Sequence, residues 1–301
     1  MELFAGPGRF YRGNLHAHST RSDGALEPRR LLEIYRRGGY DFVALTDHNV
    51  MNRENYGMPE DFLVLPGAEF QLLYCDLERI SKCYHFVALP RGEGGMAHGA
   101  FLENANYSRP SEAQDFVDML RGMGNEVILC HPEWSHTNWA DYGQLRGLLA
   151  VEAYNNVCEM EDATGYAQAR WDEFLRAGVR ICGVASDDCH RAQHVMGGWV
   201  QVYAEALTQS AIMDALMAGR FYASNGPEIH RIAVEGRRIS VACSPCERVQ
   251  FVTDRIGNPA VYGEQGVVYE ASFTAPPQAS YVRVQCMDAN RHMAWSQPIY
   301  F

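Results

Sequence analysis

The sequence predicts an α/β fold followed by a small antiparallel β-sandwich. Through residue 226, short apolar runs alternate with helical patterns, which is typical of strands joined by crossover helices around a mostly parallel sheet or barrel. After Asn225-Gly226-Pro227 the pattern changes to short alternating runs separated by Gly, Pro and Asn turns, which indicates a sandwich. We therefore predict two domains, residues 1–226 and 227–301.

Length and composition bound the class of protein. The chain has 301 residues, of which 47% are hydrophobic and 21% charged, enough for one large domain with a full core and a smaller one. Its net charge of -11 disfavours extended contact with nucleic-acid phosphates, so any phosphate group must be bound locally.

Apolar runs and capping signals predict the individual elements. The seven runs of the first domain cover residues 13–17, 42–46, 62–67, 85–89, 127–130, 148–154 and 179–185. Ser111 and Gln114 predict a capping box for a helix that ends at Gly124, a second helix is predicted over residues 163–177, and Thr208 caps a third. The predicted sandwich strands cover residues 229–234, 238–242, 249–253, 267–274, 281–287 and 295–300.

The cysteines and the apolar runs bear on location. Nine scattered cysteines, an odd number, favour reduced core thiols in a cytoplasmic protein over a disulfide framework. Cys243-Ser244-Pro245-Cys246 is a lone CxxC without a second pair or a nearby His, and we interpret it as structural. No leader pattern begins the chain and no apolar run reaches the roughly 18 residues of a membrane span, so we expect no membrane contact.

Imidazoles and carboxylates follow the ends of the predicted strands. His16 and His18 end the first strand and, being one residue apart, point to the same side of an extended backbone. Asp23 lies in the next turn, and the other candidates at strand ends are His48, Glu69, His131, Asp188 and His190. Each has a structural explanation on its own, such as a turn residue or a helix cap. Their recurrence at all but one strand end instead predicts a metal site, because strand ends in an α/β barrel converge on one cavity.

His85 differs from the other candidates because it opens its apolar run. We expect a hairpin in which residues 70–75 continue from Glu69 and residues 85–89 return antiparallel. That hairpin would bring His85 back to the metal site.

The order of these motifs resembles that of the PHP (polymerase and histidinol phosphatase) superfamily. The resemblance lies in Gly13-Asn14-Leu15-His16-Ala17-His18-Ser19, Ala44-Leu45-Thr46-Asp47-His48-Asn49, Gly67-Ala68-Glu69, His131-Pro132 and Ser186-Asp187-Asp188-Cys189-His190. It implies a distorted seven-stranded (β/α) barrel with three metals. The implied ligands are His16, His18, Glu69 and Asp188 for the first metal, Glu69, His85 and His131 for the second, and Asp23, His48 and His190 for the third.

The tail carries a second resemblance. Residues 218–224 and 294–299 are similar to segments of a subgroup in which a PHP barrel carries a C-terminal β-sandwich. Some members of that subgroup resemble carbamate or amide hydrolases.

We expect a hydrolase. Imidazole and carboxylate ligands favour two or three divalent Zn, Mn or Fe ions, which can share a bridging hydroxide as nucleophile. The expected substrate is a small phosphate ester: a phosphorylated metabolite, a nucleotide or an oligonucleotide end. Two alternatives stay open: a carbamate, amide or carboxylic ester hydrolase using the same metals, and a non-catalytic metal-binding scaffold whose sandwich binds a partner. The sequence does not predict the oligomeric state.

Three further residues are candidates for contact with substrate or ligands. Asp187 could orient a ligand or handle a proton, or cap a turn, and Arg191 could clamp a phosphate or face solvent. Asn155, at the end of the sixth predicted strand, could contact substrate or form a turn.

Overall fold

A computed structural model describes residues 1–76, 79–263 and 266–301 as a mixed α/β protein, as the sequence predicts. Its first part contains strands β1 (Arg9–Asn14), β2 (Phe42–Ala44), β3 (Leu63–Leu65), β4 (Ala68–Asp76), β5 (Arg79–Pro90), β6 (Ala105–Asn106), β7 (Asn125–Leu129), β8 (Ala150–Asn155), β9 (Cys182–Ser186), β10 (Trp199–Ala204) and β11 (Phe221–Ser224). The helices are α1 (Pro28–Arg37), α2 (Pro110–Gly122), α3 (Trp139–Tyr142), α4 (Asn156–Asp162), α5 (Gln168–Arg176) and α6 (Gln209–Met217), with a 3-10 turn at Ala192–His194.

The tail is built of strands. They are β12 (Ile229–Glu235), β13 (Arg238–Cys246), β14 (Arg248–Thr253), β15 (Ala260–Tyr262), β16 (Val268–Thr274), β17 (Tyr281–Met287), β18 (Met293–Ser296) and β19 (Ile299–Tyr300). The antiparallel sheet β12-β13-β16 packs its buried residues, such as Ile232 and Val241, against Phe251 and Val284 of β14 and β17. Each of the six predicted runs of the tail overlaps one of these strands, except that the run 295–300 is divided between β18 and β19.

Two sheets face each other in the first part of the chain. One has the order β6-β4-β5-β7-β8-β9, with β7, β8 and β9 parallel, and the other contains β11-β10-β1-β2-β3, with β1, β2 and β3 parallel. Phe42 and Leu65 of the second sheet share a buried cluster with Val87 and Ile128 of the first. The parallel strands deliver their carboxyl ends to one side of this common core.

The second sheet continues into the tail. β18 pairs antiparallel with β11, so that Ala223 lies opposite Trp295. β17, β14 and β15, together with β19 beside β17, extend the same sheet to ten strands. The domain boundary at 226 stays a prediction, and a continuous hydrogen-bonded ladder crosses it.

Two helix predictions need correction. The capping box at α2 does not involve Ser111 and Gln114: Glu112 accepts the backbone N–H of Ser108 at 2.7 Å, because Pro110 already begins the helix. The helix predicted over residues 163–177 begins only at Gln168, since Ala163 adopts a left-handed conformation and ends α4. The cap at Thr208 is confirmed by its acceptance of the Ala211 N–H at 3.3 Å.

The hairpin expected at His85 is present. β4 and β5 pair antiparallel, and His85 lies opposite Gln71. β10 and β11 fall outside the seven predicted strands. β10 pairs antiparallel with both β1 and β11, although helix α6 separates β10 from β11 in the chain.

The cysteines described with their side chains, which leaves out Cys75, are all free thiols. Within the described ranges, none of the helices combines the length and the apolar character needed to cross a membrane.

Candidate metal centre

The structure brings all nine predicted metal ligands into one site. His16 and His18 follow β1, His48 follows β2 and His131 follows β7. Asp188 and His190 follow β9, Glu69 and His85 face each other from β4 and β5, and Asp23 reaches the site from the loop before α1. Isolated backbone bridges join Ala17 to Cys189 and His48 to Glu69, and they tie these loops together.

Five imidazoles surround the buried carboxylate of Glu69. Its Oε1 lies 2.9 Å from His85 Nδ1 and 3.3 Å from Nε2 of His16 and of His131, while its Oε2 lies 2.9 Å from His48 Nδ1 and 3.3 Å from His18 Nε2. One carboxylate with rings at both oxygens has the geometry of a bridging ligand.

Asp188, which follows β9, approaches three of the same imidazole rings. Its Oδ1 lies 3.1 Å from His18 Nε2 and 3.3 Å from His16 Nε2, and its Oδ2 lies 3.8 Å from His131 Nε2. The backbone of Asp188 has a φ of 50° and that of His131 a φ of 26°, a region that residues with a side chain rarely adopt. Such local strain is often kept where a side chain must be aimed at a site.

Asp23, His48 and His190 form a more open group. Asp23 Oδ2 lies 3.4 Å from His190 Nε2 and 3.5 Å from His48 Nε2, and Oδ1 lies 3.7 Å from His18 Nδ1. The Asp23 side chain is 53% exposed, against 1% for Glu69. This group therefore faces solvent, while Glu69 and Asp188 lie beneath it.

The donor set fits divalent cations. Glu69 Oε2, Asp188 Oδ1 and His48 Nδ1 are buried, and among the described residues their close contacts, such as the 2.9 Å between His48 Nδ1 and Glu69 Oε2, do not have hydrogen-bond geometry. Buried polar atoms without partners are costly, and metal coordination satisfies them. Subsets of these residues bring one donor atom each within 4.8 Å of one another: His18, Asp23, His48 and His190; His16, His18 and Glu69; His16, His131 and Asp188.

Concentrated negative charge shifts the protonation equilibria of the site. Burial lowers the pKa of His18 and of His85, but the neighbouring carboxylates outweigh it and raise these pKa values to about 9 and about 10. Burial likewise opposes the ionisation of Glu69, yet the surrounding imidazoles hold its pKa well below the usual range. In the absence of metal, protons therefore provide the positive charge that the carboxylates require.

Glu152 positions two of the ligands, and we did not predict it from the sequence. Its Oε1 lies 2.8 Å from His16 Nδ1, and its Oε2 accepts the backbone N–H of His131 at 2.9 Å. Ser186 Oγ and Asn155 Nδ2 donate to the same carboxylate. A signal was available: Glu152 is a lone carboxylate inside the apolar run 148–154.

Asn155 supports the ligands as well. Its Nδ2 lies 3.1 Å from Asp188 Oδ2, and its Oδ1 accepts the Cys158 N–H at the start of α4. This side chain therefore holds a metal-facing carboxylate and caps a helix.

Asp187 points away from the cavity. It is fully buried and accepts hydrogen bonds from Tyr35 Oη at 2.7 Å and from the backbone N–H groups of Met196, Gly197 and Gly198 at 2.7 to 2.8 Å. Burial raises the pKa of Asp187 to about 6, and these donors oppose the rise. The side chain anchors the loop that follows β9.

Arg191 lies on the cavity wall. It is exposed, and within the described ranges its guanidinium forms neither a hydrogen bond nor an ion pair. Nearby, the backbone N–H of His190 donates to His194 Nδ1 at 3.3 Å, which leaves Nε2 of His194 to face Glu161 Oε1 at 3.2 Å.

The ligands open into a cavity of about 310 Å³. Seven of the nine predicted ligands line it, together with an apolar wall of Trp134, Val157 and Cys158 and the charged or polar side chains of Glu161, Asp162, Arg191 and His194. The indole of Trp134 contacts the rings of His85 and His131 edge to face, with centroids 5.7 and 5.0 Å apart.

Several known proteins are similar to this chain or to part of it. No family model matches the chain. Over 83 residues, or 27% of this chain, it is 35% identical to DNA polymerase/3'-5' exonuclease PolX of Bacillus subtilis, and the match spans 15% of that protein. The structure is similar to that of a two-domain protein of Bacteroides vulgatus described as containing a predicted PHP-like metal-dependent phosphoesterase, with 13% identity, a TM-score of 0.47, and coverage of 97% of this chain and 96% of that one.

Two further solved structures are similar to about 60% of this chain. One, from Bifidobacterium adolescentis, is described as a metal-dependent phosphoesterase, with 15% identity, a TM-score of 0.37, and coverage of 59% of this chain and 87% of that one. The other is an amidohydrolase from Chromobacterium violaceum with bound sulfate and no metal, with 14% identity, a TM-score of 0.37, and coverage of 60% and 88%. In this chain, each PHP-like segment quoted above contributes at least one residue to the site.

Proposed function

We propose that this chain is a metal-dependent phosphoesterase that hydrolyses a small phosphate ester. The observation that carries the proposal is the pair of buried carboxylates, Glu69 and Asp188, whose unpartnered oxygens face converging imidazoles beneath an open cavity. Such a donor set suits Zn, Mn or Fe, and its division into the three overlapping groups described above supports two or three ions.

The cavity supports a small substrate. About 310 Å³ lies at the lower end of the volumes of small-molecule sites. Glu161 and Asp162 add negative charge to its wall, which disfavours a long polyanion. A short phosphate ester places its phosphoryl group over the ligands and its remaining part beside Trp134 and Val157.

The residues of the chain divide the work. Divalent ions bound at this centre supply a hydroxide nucleophile and neutralise the charge that develops on the phosphoryl oxygens. Glu152 holds His16 so that Nε2 faces the centre, and Asn155 holds Asp188. Arg191, exposed and unpaired on the wall, is positioned to take phosphate oxygens in the bidentate manner typical of a guanidinium.

The proposal is tested by a Mn-loaded assay on p-nitrophenyl phosphate, p-nitrophenyl acetate and an aryl carbamate. We expect turnover of the phosphate, its loss in Glu69→Gln, and a KM about tenfold higher in Arg191→Ala, since a charged hydrogen bond to phosphate contributes about 1.5 kcal/mol or more. Arg36→Ala is the matched control, because Arg36 pairs with Asp61 on the surface.

The alternative hydrolase is an outcome of the same assay. Turnover of the carbamate or the acetate alone, with Arg191→Ala unchanged, would overturn the phosphoesterase in favour of an ester or amide hydrolase. Absence of turnover on all three substrates by metal-loaded protein, together with no effect of added inorganic phosphate on thermal stability, would also count against it.

A further inference from the structure

A second cluster of potential metal ligands lies in the tail, among its packed strands. The sulfur atoms of Cys243, Cys246 and Cys286 lie within 4.8 Å of one another. Their residues are 3%, 2% and 0% exposed, and they share the core between the two layers of the tail. The phosphoesterase proposed above does not use this cluster.

A β-bulge creates the cluster. Residues three apart on a regular strand point to opposite faces, so Cys243 and Cys246 would normally diverge. The β13–β16 ladder changes register between Ala242 and Cys246, and both thiols point inward while Pro245 is exposed. The Ser244 N–H donates to the Glu228 carbonyl at 2.9 Å, which anchors the irregular segment from the β12 side.

Cys286 approaches from the opposite layer. It lies on β17, paired with Val249 of β14, and faces the three-stranded sheet that carries the other two thiols. Both layers of the tail therefore contribute sulfur atoms to the same cluster. Cys243 Sγ lies 3.7 Å from the Tyr269 carbonyl, a weak S–H hydrogen bond.

The spacing matches a three-coordinate ion. Thiolate sulfurs lie about 2.3 Å from a bound d10 ion, so three of them in a plane are about 4 Å apart. The three sulfurs here lie within 4.8 Å of one another, so none of the pairs exceeds that separation by more than about 1 Å. Among the described residues, the cluster includes no imidazole or carboxylate to serve as a fourth ligand, and its burial keeps water away.

We propose that Cys243, Cys246 and Cys286 bind one soft, thiophilic cation of the Cu+ class. Soft sulfur ligands select Cu+, whereas structural Zn²⁺ almost always takes four ligands. Each bond to a thiolate replaces an S–H bond whose proton leaves to solvent, and copper stays Cu+.

The test is anaerobic titration of the whole protein with Cu+ against bicinchoninate, a chromophoric Cu+ chelator. Wild type is expected to retain one equivalent with a thiolate-to-copper charge-transfer band in the near ultraviolet. Cys286→Ser and Cys246→Ser are expected to weaken binding by about 100-fold, since loss of a ligand exceeds the 10–100-fold effect of a supporting residue. Cys182→Ser, in β9 and outside the cluster, is the matched control.

A second measurement guards against misfolded variants. X-ray absorption at the copper edge of wild type is expected to show three sulfur neighbours near about 2.3 Å and no nitrogen or oxygen neighbour. Nitrogen neighbours would place copper in the histidine site and overturn the proposal. So would copper retention in wild type no greater than in Cys286→Ser, or a Cys243–Cys246 disulfide in protein that retains no copper. The result of the phosphoesterase assay does not depend on the outcome of these copper experiments.

Discussion

Glu152 Oε1 lies 2.8 Å from Nδ1 of His16 and so fixes the ring with Nε2 toward Glu69 and Asp188. A carboxylate behind a ligating imidazole sets its tautomer and raises its basicity. The geometry of the candidate metal centre therefore depends on a residue outside the nine candidate ligands.

Glu152→Gln is expected to lower metal affinity by about 10–100-fold, because the amide no longer stabilises the ligating form of His16. Competition with a chromophoric chelator measures it. Glu126→Gln is the control. Glu126, near the start of β7, is also largely buried, but it pairs with Arg91. Equal affinity in the two variants would refute this role for Glu152.

Glu69→Ala and Asp23→Ala are expected to differ in metal content. Glu69 contacts five imidazoles, so its removal should release more than one equivalent. Asp23 belongs to the open group and otherwise approaches His18 Nδ1 at 3.7 Å, so its removal should cost one. Elemental analysis after gel filtration provides the count. The assignment fails if wild type and both variants carry the same amount.

Asp187→Asn is expected to reduce stability more than catalysis. The carboxylate accepts four hydrogen bonds, three from backbone N–H groups, and an amide cannot accept them all. The loss should be about 2 kcal/mol or more in denaturant unfolding, with kcat changed only a few-fold in folded protein. A loss of kcat by several orders of magnitude at unchanged stability would instead make Asp187 a catalytic residue.

Asp254 gives the tail a dependence on pH. Burial opposes its ionisation, but the Ser280 N–H and O–H donate to it at 3.1 and 2.8 Å and lower its pKa. A carboxylate with a lowered folded-state pKa stabilises above its unfolded value of about 3.9 and loses that effect as pH falls through the folded value. Asp254→Asn should therefore be about 1 kcal/mol less stable at neutral pH, with the difference shrinking in acid.

Urea unfolding near pH 7 and near pH 3 measures this difference. Asp61→Asn is the control, because Asp61 lies in an exposed ion pair with Arg36 and should show a smaller change. A deficit of Asp254→Asn that persists undiminished in acid would contradict the linkage.

Sequence reasoning brought out the nine residues of the candidate site because imidazoles and carboxylates recur at its strand ends. His131 and Asp188 could be placed from local pattern alone, and His85 from the hairpin, since each is fixed by one strand and its turn. Glu152 escaped because its role arises only when β8 lies beside β9 and the loop after β1 folds over both. The role of Glu152 can be inferred only from the residues that contact it in the folded protein.

The thiol cluster shows a second limit. Cys243 and Cys246 could not be assigned to one face, because strand periodicity separates them and only the bulge reunites them. Nor does any spacing link them to Cys286, 40 residues later. The helix start at Gln168 was missed for a local reason, the left-handed turn at Ala163.

The rungs between β11 and β18 also have a consequence for engineering the chain. Tyr222, Ala223 and Ser224 of β11 pair with residues 294–296 of β18. A truncation after residue 226 would therefore leave one edge of β11 without its hydrogen-bonding neighbour. An uncovered edge of this kind invites pairing with other chains, and the shortened protein should aggregate. Residues 1–226 and the tail are therefore best purified, mutated and crystallised as one chain.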